Sequence, residues 1–408
     1  MNKLKILISA YACEPFLGSE PEVGFKWANN LHEIGHDVYV LTRKTNKNLI
    51  DKFYEKKSSK PKYIYIDLPD FFLKIIKRKS KYSYTYFFLW QYYIFFKYLI
   101  YLRKYKFDLI HHVTFVSLRF PPIIGLLGKR FIYGPVGGGE LVPIKLLNLL
   151  DKKERLKEKL RNFLNHFIKF SPLNFFLFLK SDKIYVTSHE TKKLVPIFFY
   201  NKTYIKSAIT IDNCFAKKII KITEFDPIRF LFVGRAESLK GIEIIFNTLK
   251  KITEKKFRFK LTMICNGKVI DNLYKLLNKY HLNHNDLEII NYLPRSSIIN
   301  YYDSSHFLFF PSLRESGGKV ILESLQRYKP VISLDINGQA QILNKNISIL
   351  VYPTNKDLNE ICEEFSNKII FNINNPKKYN ELVNNIKNYI YIYDWINLYR
   401  DIYREYLI

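Results

Sequence analysis

The chain has 408 residues, of which 48% are hydrophobic and 25% charged, and its formal net charge is +28. This composition is typical of a globular protein able to bury large cores, and the length favours two domains over one. The positive charge suits an anionic substrate, an anionic membrane surface or nucleic acid, but no nucleic-acid motif accompanies it, so nucleic acid is not expected as a partner.

The cysteines and the first residues indicate the compartment. The four cysteines lie far apart in the chain and predict neither a disulfide framework nor a metal site. The apolar stretch in MNKLKILISAYACE is too short for a signal peptide and predicts a first β-strand instead. These features favour a reducing, cytoplasmic setting.

Strand and helix patterns alternate along the first half. Strands are predicted at residues 5–10, 36–42, 63–68, 131–134 and 183–187, and residues 107–115 are predicted as a strand followed by a loop. A loop at 13–24 and a helix at 23–34 separate the first two. This order is typical of a parallel α/β sheet, whose ligands gather at the carboxyl ends of the strands. Gly18, Ser19 and Glu20 therefore belong to a candidate binding loop, with an ordinary turn as the alternative.

Two further loops of this half carry candidate residues. His111 and His112 follow each other near the end of a predicted strand, where a polar role at a ligand site and a structural role are about equally expected. The segment GPVGGGE, residues 134–140, contains three successive glycines that permit close backbone approach. Glu140 at its end is a candidate for binding the hydroxyl groups of an acceptor, and a flexible loop is the alternative.

A basic and aromatic region lies within residues 44–106, which contain only four acidic residues. Residues 82–104 predict an aromatic helix, and Gln91 and Lys97 interrupt it, so a transmembrane span is not expected. Such a face suits the surface of an anionic bilayer, whereas a core helix is the alternative. Residues 163–180 are also apolar and aromatic and either join this surface or pack inside. Peripheral attachment to the inner face of the cytoplasmic membrane is therefore predicted.

The alternation weakens around residues 205–226 and then restarts. Strands are predicted at residues 230–233, 260–265, 287–291, 306–310, 330–334 and 348–351. Arg235 and Lys240 lie in the loop between the first of these strands and a helix predicted at 242–252. Two cations beside a helix start favour an anionic ligand, because the helix dipole attracts the same charge.

The segment FFPSLRESGGKVILE, residues 309–323, predicts a second anion site. A buried strand ends in a glycine turn and opens a helix, which presents backbone N–H groups to a phosphate. Gly317 and Gly318 allow close backbone approach, and Lys319 adds a cation. Two carboxylates, Glu315 and Glu323, frame the turn. An ordinary strand–turn–helix with Glu323 on a solvated face is the alternative.

Taken together, the two loops suit a sugar nucleotide. Arg235 and Lys240 can neutralise the charge that grows on a departing phosphate. Glu323 suits the ribose diol, and Glu315 suits the hydroxyls of a sugar. No D-x-D motif stands at a strand end and no His/Cys set has ligand spacing, so neither a metal nor a cofactor beyond the donor substrate is expected.

Several segments of the chain resemble glycosyltransferase family 4. In the first half these are SAYACEPFLGSEPEVGFKWA, HHVTFVSLRFP and YGPVGGGE. In the second half they are VGRAESLKG and PSLRESGGKVILESL. The spacing of Glu315 and Glu323 around Gly318 resembles the E-x7-E signature of retaining glycosyltransferases. The resemblance covers nearly the whole chain.

The resemblance implies the GT-B fold, an α/β architecture of two Rossmann-like parallel-sheet domains facing across a cleft. Residues 1–210 would bind the acceptor and residues 226–390 the nucleotide sugar. Residues 391–408 would form a C-terminal segment that crosses back to the first domain.

The resemblance also implies roles for single residues. Arg235 and Lys240 would hold the diphosphate, Glu315 would contact the donor sugar and Glu323 the ribose. Gly18 would lie near the reaction centre. The family's histidine would be His112 or, alternatively, His111. Gly317 stands where the family commonly has an aromatic residue, so no base or sugar preference can be carried over.

The leading interpretation is a retaining hexosyltransferase that uses a UDP- or GDP-sugar and a saccharide acceptor, which is expected to be lipid-linked. Front-face displacement is implied by the resemblance. Synthesis of capsule, O-antigen or lipopolysaccharide would be the setting. The alternatives are a sugar-nucleotide epimerase on the same fold and a membrane-docking subunit without activity.

Overall fold

The computed structural model describes residues 3–69, 71, 84–115, 117–127, 130–211, 222–265, 270–291 and 293–406. The chain divides into two compact units. Unit 1 comprises Met1–Gly139, Phe163–Ala208 and Asp401–Ile408, and unit 2 comprises Glu140–Asn162 and Ile209–Arg400. The segment 140–162 of the predicted first domain is therefore grouped with unit 2, where Val142, Leu146 and Leu150 are buried in the hydrophobic core.

The described part of unit 1 contains a seven-stranded parallel sheet with the order β3-β2-β1-β4-β5-β6-β7. The strands are β1 (Lys5–Ser9), β2 (Asp37–Thr42), β3 (Lys62–Tyr65), β4 (Leu109–His112), β5 (Phe131–Val136), β6 (Lys183–Val186) and β7 (Thr203–Ile205). The predicted strands of this half are confirmed, and β7 is an additional edge strand. The inner strands are buried because helices cover parallel sheets on both faces.

Helices α1 to α6 connect these strands. They are α1 (Ser19–Glu33), α2 (Lys47–Tyr54), α3 (Tyr84–Arg103), α4 (Lys152–Ile168), α5 (Pro172–Lys180) and the short α6 (His189–Lys192). The division between the units falls within α4, after residue 162. Ser188 caps α6 by accepting a hydrogen bond from the Thr191 N–H, as the sequence SHET predicts.

The described part of unit 2 contains a six-stranded parallel sheet with the order β10-β9-β8-β11-β12-β13. The strands are β8 (Ile228–Val233), β9 (Phe259–Ile264), β10 (Leu287–Ile290), β11 (Phe307–Phe309), β12 (Val331–Leu334) and β13 (Ser348–Val351). All six predicted strands of this half are confirmed, with shifts of one or two residues at some ends.

The helices of the second half are α7 to α13. They are α7 (Ile242–Glu254), α8 (Ile270–Lys279), α9 (Arg295–Ser304), α10 (Lys319–Gln326), α11 (Leu358–Asn374), α12 (Pro376–Tyr389) and α13 (Trp395–Tyr403). Helix α13 ends in unit 1, since the division falls after residue 400.

Two predictions about local structure need correction. Helix α1 begins at Ser19 instead of residue 23, so Ser19 and Glu20 lie in its first turn and not in a loop. Glu20 and Glu22 favour the earlier start, because acidic side chains interact well with the amino-terminal end of a helix dipole. The charged sequence DKKERLKEKLRN at residues 151–162 predicts a helix of that length, and the helix continues to Ile168 as α4.

The aromatic helix predicted at 82–104 is present as α3, and residues 82 and 83 lie outside the described part. Several of its side chains belong to the core of unit 1, with Tyr86, Phe87 and Trp90 fully buried. The Trp90 indole donates a 2.9 Å hydrogen bond to the Ile66 carbonyl. Packing therefore accounts for one face of this helix. No helix among the described residues is both long and apolar enough to cross a membrane.

Candidate active site

The loop after β8, residues 234–241, and the loop after β11, residues 310–318, lie side by side in unit 2. They are called the first loop and the second loop below. The two strands pair in parallel, so their carboxyl ends reach the same edge of the sheet. The Leu313 N–H donates to the Leu239 carbonyl over 2.9 Å, and the Ser312 hydroxyl donates to the same oxygen over 3.2 Å. Residues that are 73 positions apart in sequence thereby lie side by side.

Lys240 of the first loop meets Glu315 of the second loop. The Lys240 ammonium forms an ion pair with Glu315 Oε2, and each side chain is 17% exposed. The ammonium also lies 5.2 Å from the centre of the Phe310 ring. A phosphate that binds Lys240 would compete with Glu315, which would release the carboxylate for another ligand group. The pair is therefore poised to exchange partners when an anion arrives.

Arg235 lies at the open side of the first loop. Its side chain is 65% exposed, and its Nη1 bonds to Glu237 Oε1 at 2.9 Å. A surface ion pair of this kind contributes little to stability. The guanidinium can therefore turn to a ligand at small cost.

Gly241 closes the first loop against the second. It adopts a left-handed conformation, with φ of +70°, and precedes α7. A Cβ atom at this position would lie 2.1 Å from the Pro311 carbonyl oxygen. The close approach of the two loops therefore depends on this glycine.

The second loop ends in the glycine pair at the start of α10. Gly318 adopts φ of +82°, and no side chain caps the helix. The amino-terminal end of a helix favours an anionic ligand because of the helix dipole. A Cβ at Gly317 would lie 2.6 Å from Ile209 Cδ1, so packing within unit 2 also requires this glycine. Lys319 is the first residue of α10, and its side chain is partly exposed.

Glu323 occupies the next turn of α10. Its Oε2 accepts a 3.1 Å hydrogen bond from the Tyr302 hydroxyl on α9, and the residue is partly exposed. Tyr302 itself is buried. The carboxylate is thus oriented by a fixed donor, as a group that binds a diol needs to be.

The loop after β12 supports the second loop and was not identified from the sequence. The Gly338 N–H donates to the Glu315 carbonyl over 2.8 Å, and the Gln339 amide donates to the Ser312 carbonyl over 2.7 Å. A Cβ at Gly338 would lie 2.4 Å from the Ser316 carbonyl oxygen. The Asn-Gly pair in DINGQAQ, directly after a strand, was the available signal, since it marks a tight turn.

Glu140 has a different environment from the one predicted. It is 3% exposed, and Arg161 Nη2 lies 3.6 Å from its carboxylate. Arg161 also lies 3.6 Å from the buried Glu158, and Glu158 pairs with Arg314, the residue before Glu315. Glu140 thus takes part in a chain of ion pairs inside unit 2, where it stabilises the segment 140–162, and its predicted contact with an acceptor stays a prediction.

Gly18 precedes α1 in unit 1 and adopts φ of +63°. A Cβ atom at this position would lie 3.9 Å from Glu22 Oε2, its nearest neighbour. Glycine is therefore favoured by the backbone angle and not by crowding. Glu20 is partly exposed in the first turn of the helix, while the side chain of Ser19 lies outside the described part. Their acceptor-binding role stays a prediction.

The glycine-rich loop after β5 is packed. Gly134 and Gly138 have φ of +106° and +119°, and a Cβ at Gly139 would lie 2.5 Å from Thr191 Cα. The Gly139 N–H donates to the Thr191 hydroxyl over 3.1 Å. Close packing in unit 1 therefore explains these glycines without a ligand.

The two histidines lie within β4 and point to opposite faces of the sheet, as neighbouring strand residues do. Both are completely buried. His111 is bonded at both ring nitrogens, to the Tyr403 hydroxyl at 2.7 Å and to the Gly134 carbonyl at 2.6 Å. His112 has Nδ1 3.1 Å from the Ser9 hydroxyl, and its Nε2 has no hydrogen-bond partner. Of the two, only His112 retains a ring nitrogen for a ligand.

Burial lowers the pKa of both imidazoles, to about 4 for His111 and about 3 for His112, from an ordinary 6.5. Above pH 6.5 both imidazoles are neutral in the folded and unfolded chains, so neither lowers the free energy of unfolding. As the pH falls from 6.5 towards 4, the unfolded chain binds protons that the folded chain does not. Each histidine then costs about 1.4 kcal/mol of unfolding free energy per pH unit.

We therefore expect the thermal midpoint to fall between pH 6.5 and pH 4, and to fall less steeply in a His112→Phe variant. Phenylalanine keeps the ring in the apolar site beside Phe87 and cannot be protonated. A control at the exposed His189, His189→Gln, should follow the native pH dependence. Identical slopes in all three proteins would contradict the assignment.

Metal ligands are not grouped in the described part of the chain, where no cluster of three His, Cys, Asp or Glu side chains could hold an ion. The absence of a metal requirement stays a prediction.

Residues 215–389 match the family Glycosyl transferases group 1. The matched region contains Arg235, Lys240, Glu315 and Glu323, the residues of the two loops and of α10.

Similarity to individual proteins agrees with this match. The uncharacterized glycosyltransferase MJ1178 of Methanocaldococcus jannaschii is 28% identical over 230 residues, which are 56% of this chain and 59% of that protein. This chain spans between 34% and 59% of the curated relatives that it matches.

Solved structures match over nearly the full length. A glycosyltransferase from Rickettsia africae superposes with a TM-score of 0.65 at 17% identity, covering 100% of this chain and 98% of that one. Anabaena Alr3699/HepE, in complex with UDP and glucose, gives a TM-score of 0.57 at 12% identity and covers 99% of each chain. The predicted fold class, two Rossmann-like parallel-sheet domains of the GT-B type, is confirmed.

Proposed function

We propose that this protein is a retaining glycosyltransferase of family 4 that moves a hexose from a UDP- or GDP-sugar to a saccharide acceptor. The observation that carries the proposal is the meeting of Lys240 and Glu315 where β8 and β11 end. A cation and a carboxylate that can exchange partners suit a ligand with a diphosphate next to a sugar. The match of residues 215–389 to group 1 glycosyl transferases supports the same class.

The donor would bind in unit 2. Lys240 and Arg235 would contact the diphosphate, and the amino-terminal end of α10 would face it. Glu323, oriented by Tyr302, would bind the ribose hydroxyls. Anabaena Alr3699/HepE, which has the same fold, was solved with UDP and glucose, and this supports a nucleotide-sugar donor.

The reaction would break the bond between the anomeric carbon and the diphosphate oxygen. Lys240 and Arg235 would stabilise the negative charge that develops on that oxygen, aided by the dipole of α10. Glu315, once Lys240 has turned to the phosphate, would accept hydrogen bonds from the sugar hydroxyls. The acceptor hydroxyl would enter on the face from which the diphosphate leaves. Its oxygen would bond to the anomeric carbon, its proton would pass to the departing diphosphate oxygen, and the configuration of the sugar would be retained.

The acceptor would bind in unit 1. Gly18 and Glu20 at the start of α1 are the candidate contacts, and the neutral His112, with its free Nε2, is the candidate histidine. We propose a lipid-linked saccharide as the acceptor, in the synthesis of a cell-surface polysaccharide, with the enzyme attached to the membrane surface. The net charge of +28 supports an anionic membrane as the site of action.

The test is to incubate the protein with a panel of UDP- and GDP-sugars and to measure release of nucleoside diphosphate. Membrane extracts would supply lipid-linked acceptors, and parallel reactions would contain none. We expect release with one donor that depends on the extract, and a product whose new linkage has the anomeric configuration of the donor.

Other outcomes would select other functions. Conversion of the donor sugar without any acceptor would indicate an epimerase. An inverted linkage would contradict retention, and no conversion with any donor would favour a docking subunit. The Lys279→Ala variant, which removes an ion-paired lysine of unit 2 outside the two loops, is the matched control.

A further inference from the structure

Six exposed phenylalanines lie in unit 1, at the end of α4, in the turn after it, on α5 and on the 3-10 helix Ile197–Lys202. Their exposed fractions range from 42% to 82%. We call this set the phenylalanine surface. It consists of Phe163, Phe167, Phe170, Phe175, Phe176 and Phe198. Exposed apolar groups of this size on neighbouring elements mark an interaction site more often than an ordinary surface.

Helix α5 shows that the exposure is not a by-product of core packing. Leu177 and Phe178 are buried in the core of unit 1 and form the inner apolar face of the helix. Phe175 and Phe176 project from the other side, where a surface helix normally carries polar residues. The helix therefore has apolar side chains on both its inner and its outer face.

Local contacts link the three elements. The rings of Phe163 and Phe167 lie 5.0 Å apart on α4, and the Phe170 N–H donates to the Phe167 carbonyl over 3.1 Å in the turn that follows. The ring of Phe175 lies 5.4 Å from that of Phe199, the buried neighbour of Phe198. The Phe175–Phe199 contact therefore joins α5 to the 3-10 helix, and Phe163, Phe167 and Phe170 follow one another along the end of α4 and the turn after it.

Positive charge accompanies the phenylalanine surface. Residues 163–202 contain six lysines against only Asp182 and Glu190. Lys169, Lys180 and Lys193 are exposed. Aromatic rings next to long cationic side chains match the boundary region of an anionic bilayer, where rings enter the acyl layer and ammonium groups meet lipid phosphates.

We infer that the phenylalanine surface is the site at which this protein docks on an anionic lipid bilayer. A second copy of the chain is a poorer occupant, because a self-complementary contact would bring two lysine-rich surfaces together. The inference deepens the membrane-side acceptor of the proposed function, but the docking it describes needs neither donor nor acceptor.

The sequence favoured residues 82–104 for membrane contact and left open whether residues 163–180 join that surface or pack inside. Tyr86, Phe87 and Trp90 of helix α3 are buried, so one face of this helix packs in the core and cannot contact a bilayer. Phe96 on the same helix is 71% exposed and provides a direct comparison between the two locations.

The test is co-sedimentation of the full-length protein with vesicles of phosphatidylcholine alone or mixed with phosphatidylglycerol. We expect binding to the mixed vesicles, weakened by high salt. A Phe175→Ser, Phe176→Ser double variant should lose at least about tenfold in vesicle affinity, since two rings no longer enter the bilayer. Phe371→Ser in unit 2 is the matched control, because Phe371 and Phe176 are both 57% exposed.

A second variant keeps the test independent of the aromatic residues. Lys180→Glu, Lys193→Glu should lose binding to the anionic vesicles while retaining its thermal midpoint, since both side chains are exposed. Native binding by either double variant, or a loss in Phe96→Ser as large as in the phenylalanine variant, would overturn the inference.

Two further readouts separate the remaining explanations. The native protein could fail to bind vesicles and instead form dimers that are lost in the phenylalanine variant. This result would show that the surface contacts a second copy and would overturn the inference. Sugar transfer to a soluble acceptor should be unchanged in the phenylalanine variant. Loss of that transfer in an otherwise folded variant would contradict a role restricted to docking.

Discussion

Replacing Lys240 by alanine is expected to lower the rate of sugar transfer about 100- to 1000-fold, which is the usual effect of removing one group that stabilises transition-state charge. The ammonium would no longer face the departing diphosphate, and Glu315 would lose its partner. The measurement is kcat for the donor identified in the panel above, with the thermal midpoint recorded alongside.

Two further variants make this result specific. Lys240→Arg keeps the positive charge and should recover part of the rate. Lys279→Ala removes a lysine paired with Glu243 on an exposed part of unit 2 and should leave the rate unchanged. Native activity in Lys240→Ala would show that the ion pair with Glu315 is structural and that the donor binds elsewhere.

Replacing Gly241 by alanine should cause the largest loss of stability among the substitutions considered. The new Cβ would lie 2.1 Å from the Pro311 carbonyl oxygen, and φ is +70°. The left-handed backbone alone costs about 1–2 kcal/mol for alanine, and the collision must also displace one of two packed loops. We expect about 3 kcal/mol or more of lost stability in unit 2, which lowers its thermal midpoint by roughly 6–12 °C.

Gly35→Ala separates the two causes. Gly35 has φ of +106° and no atom within 4 Å of the position of a new Cβ, so the variant carries the backbone cost without a collision. An equal fall of the midpoint in Gly35→Ala and Gly241→Ala would mean that crowding at Pro311 is unimportant. A larger fall at Gly241, accompanied by loss of transfer, is the expected result.

The sequence was sufficient for the features that depend on neighbouring residues. Short apolar runs predicted the strands because a strand is a local pattern, and the loops that follow β8 and β11 were identified from glycines and charges at strand ends. Their adjacency follows from the rule that parallel strands end at one edge. For this reason Lys240 and Glu315 could be assigned to one site without coordinates.

Features that depend on distant contacts were not predictable. Glu140 was interpreted as a candidate contact for the acceptor, but it is 3% exposed and pairs with Arg161. The support that Gly338 and Gln339 give to residues 312–316 joins loops that belong to different strands. The two ring nitrogens of His111 form hydrogen bonds with Gly134 and Tyr403. The spacing of the sequence does not reveal which of two adjacent histidines forms such bonds.

The most direct test of the central claim, that unit 2 binds the diphosphate of a nucleotide sugar, is calorimetric titration with UDP, GDP and ADP. The native protein and the Arg235→Ala and Lys240→Ala variants would be compared. We predict saturable binding of UDP or GDP that raises the thermal midpoint, weakened in both variants and unchanged in Lys279→Ala. Failure of every nucleotide to bind the folded native protein, or equal binding by Lys240→Ala, would contradict the claim.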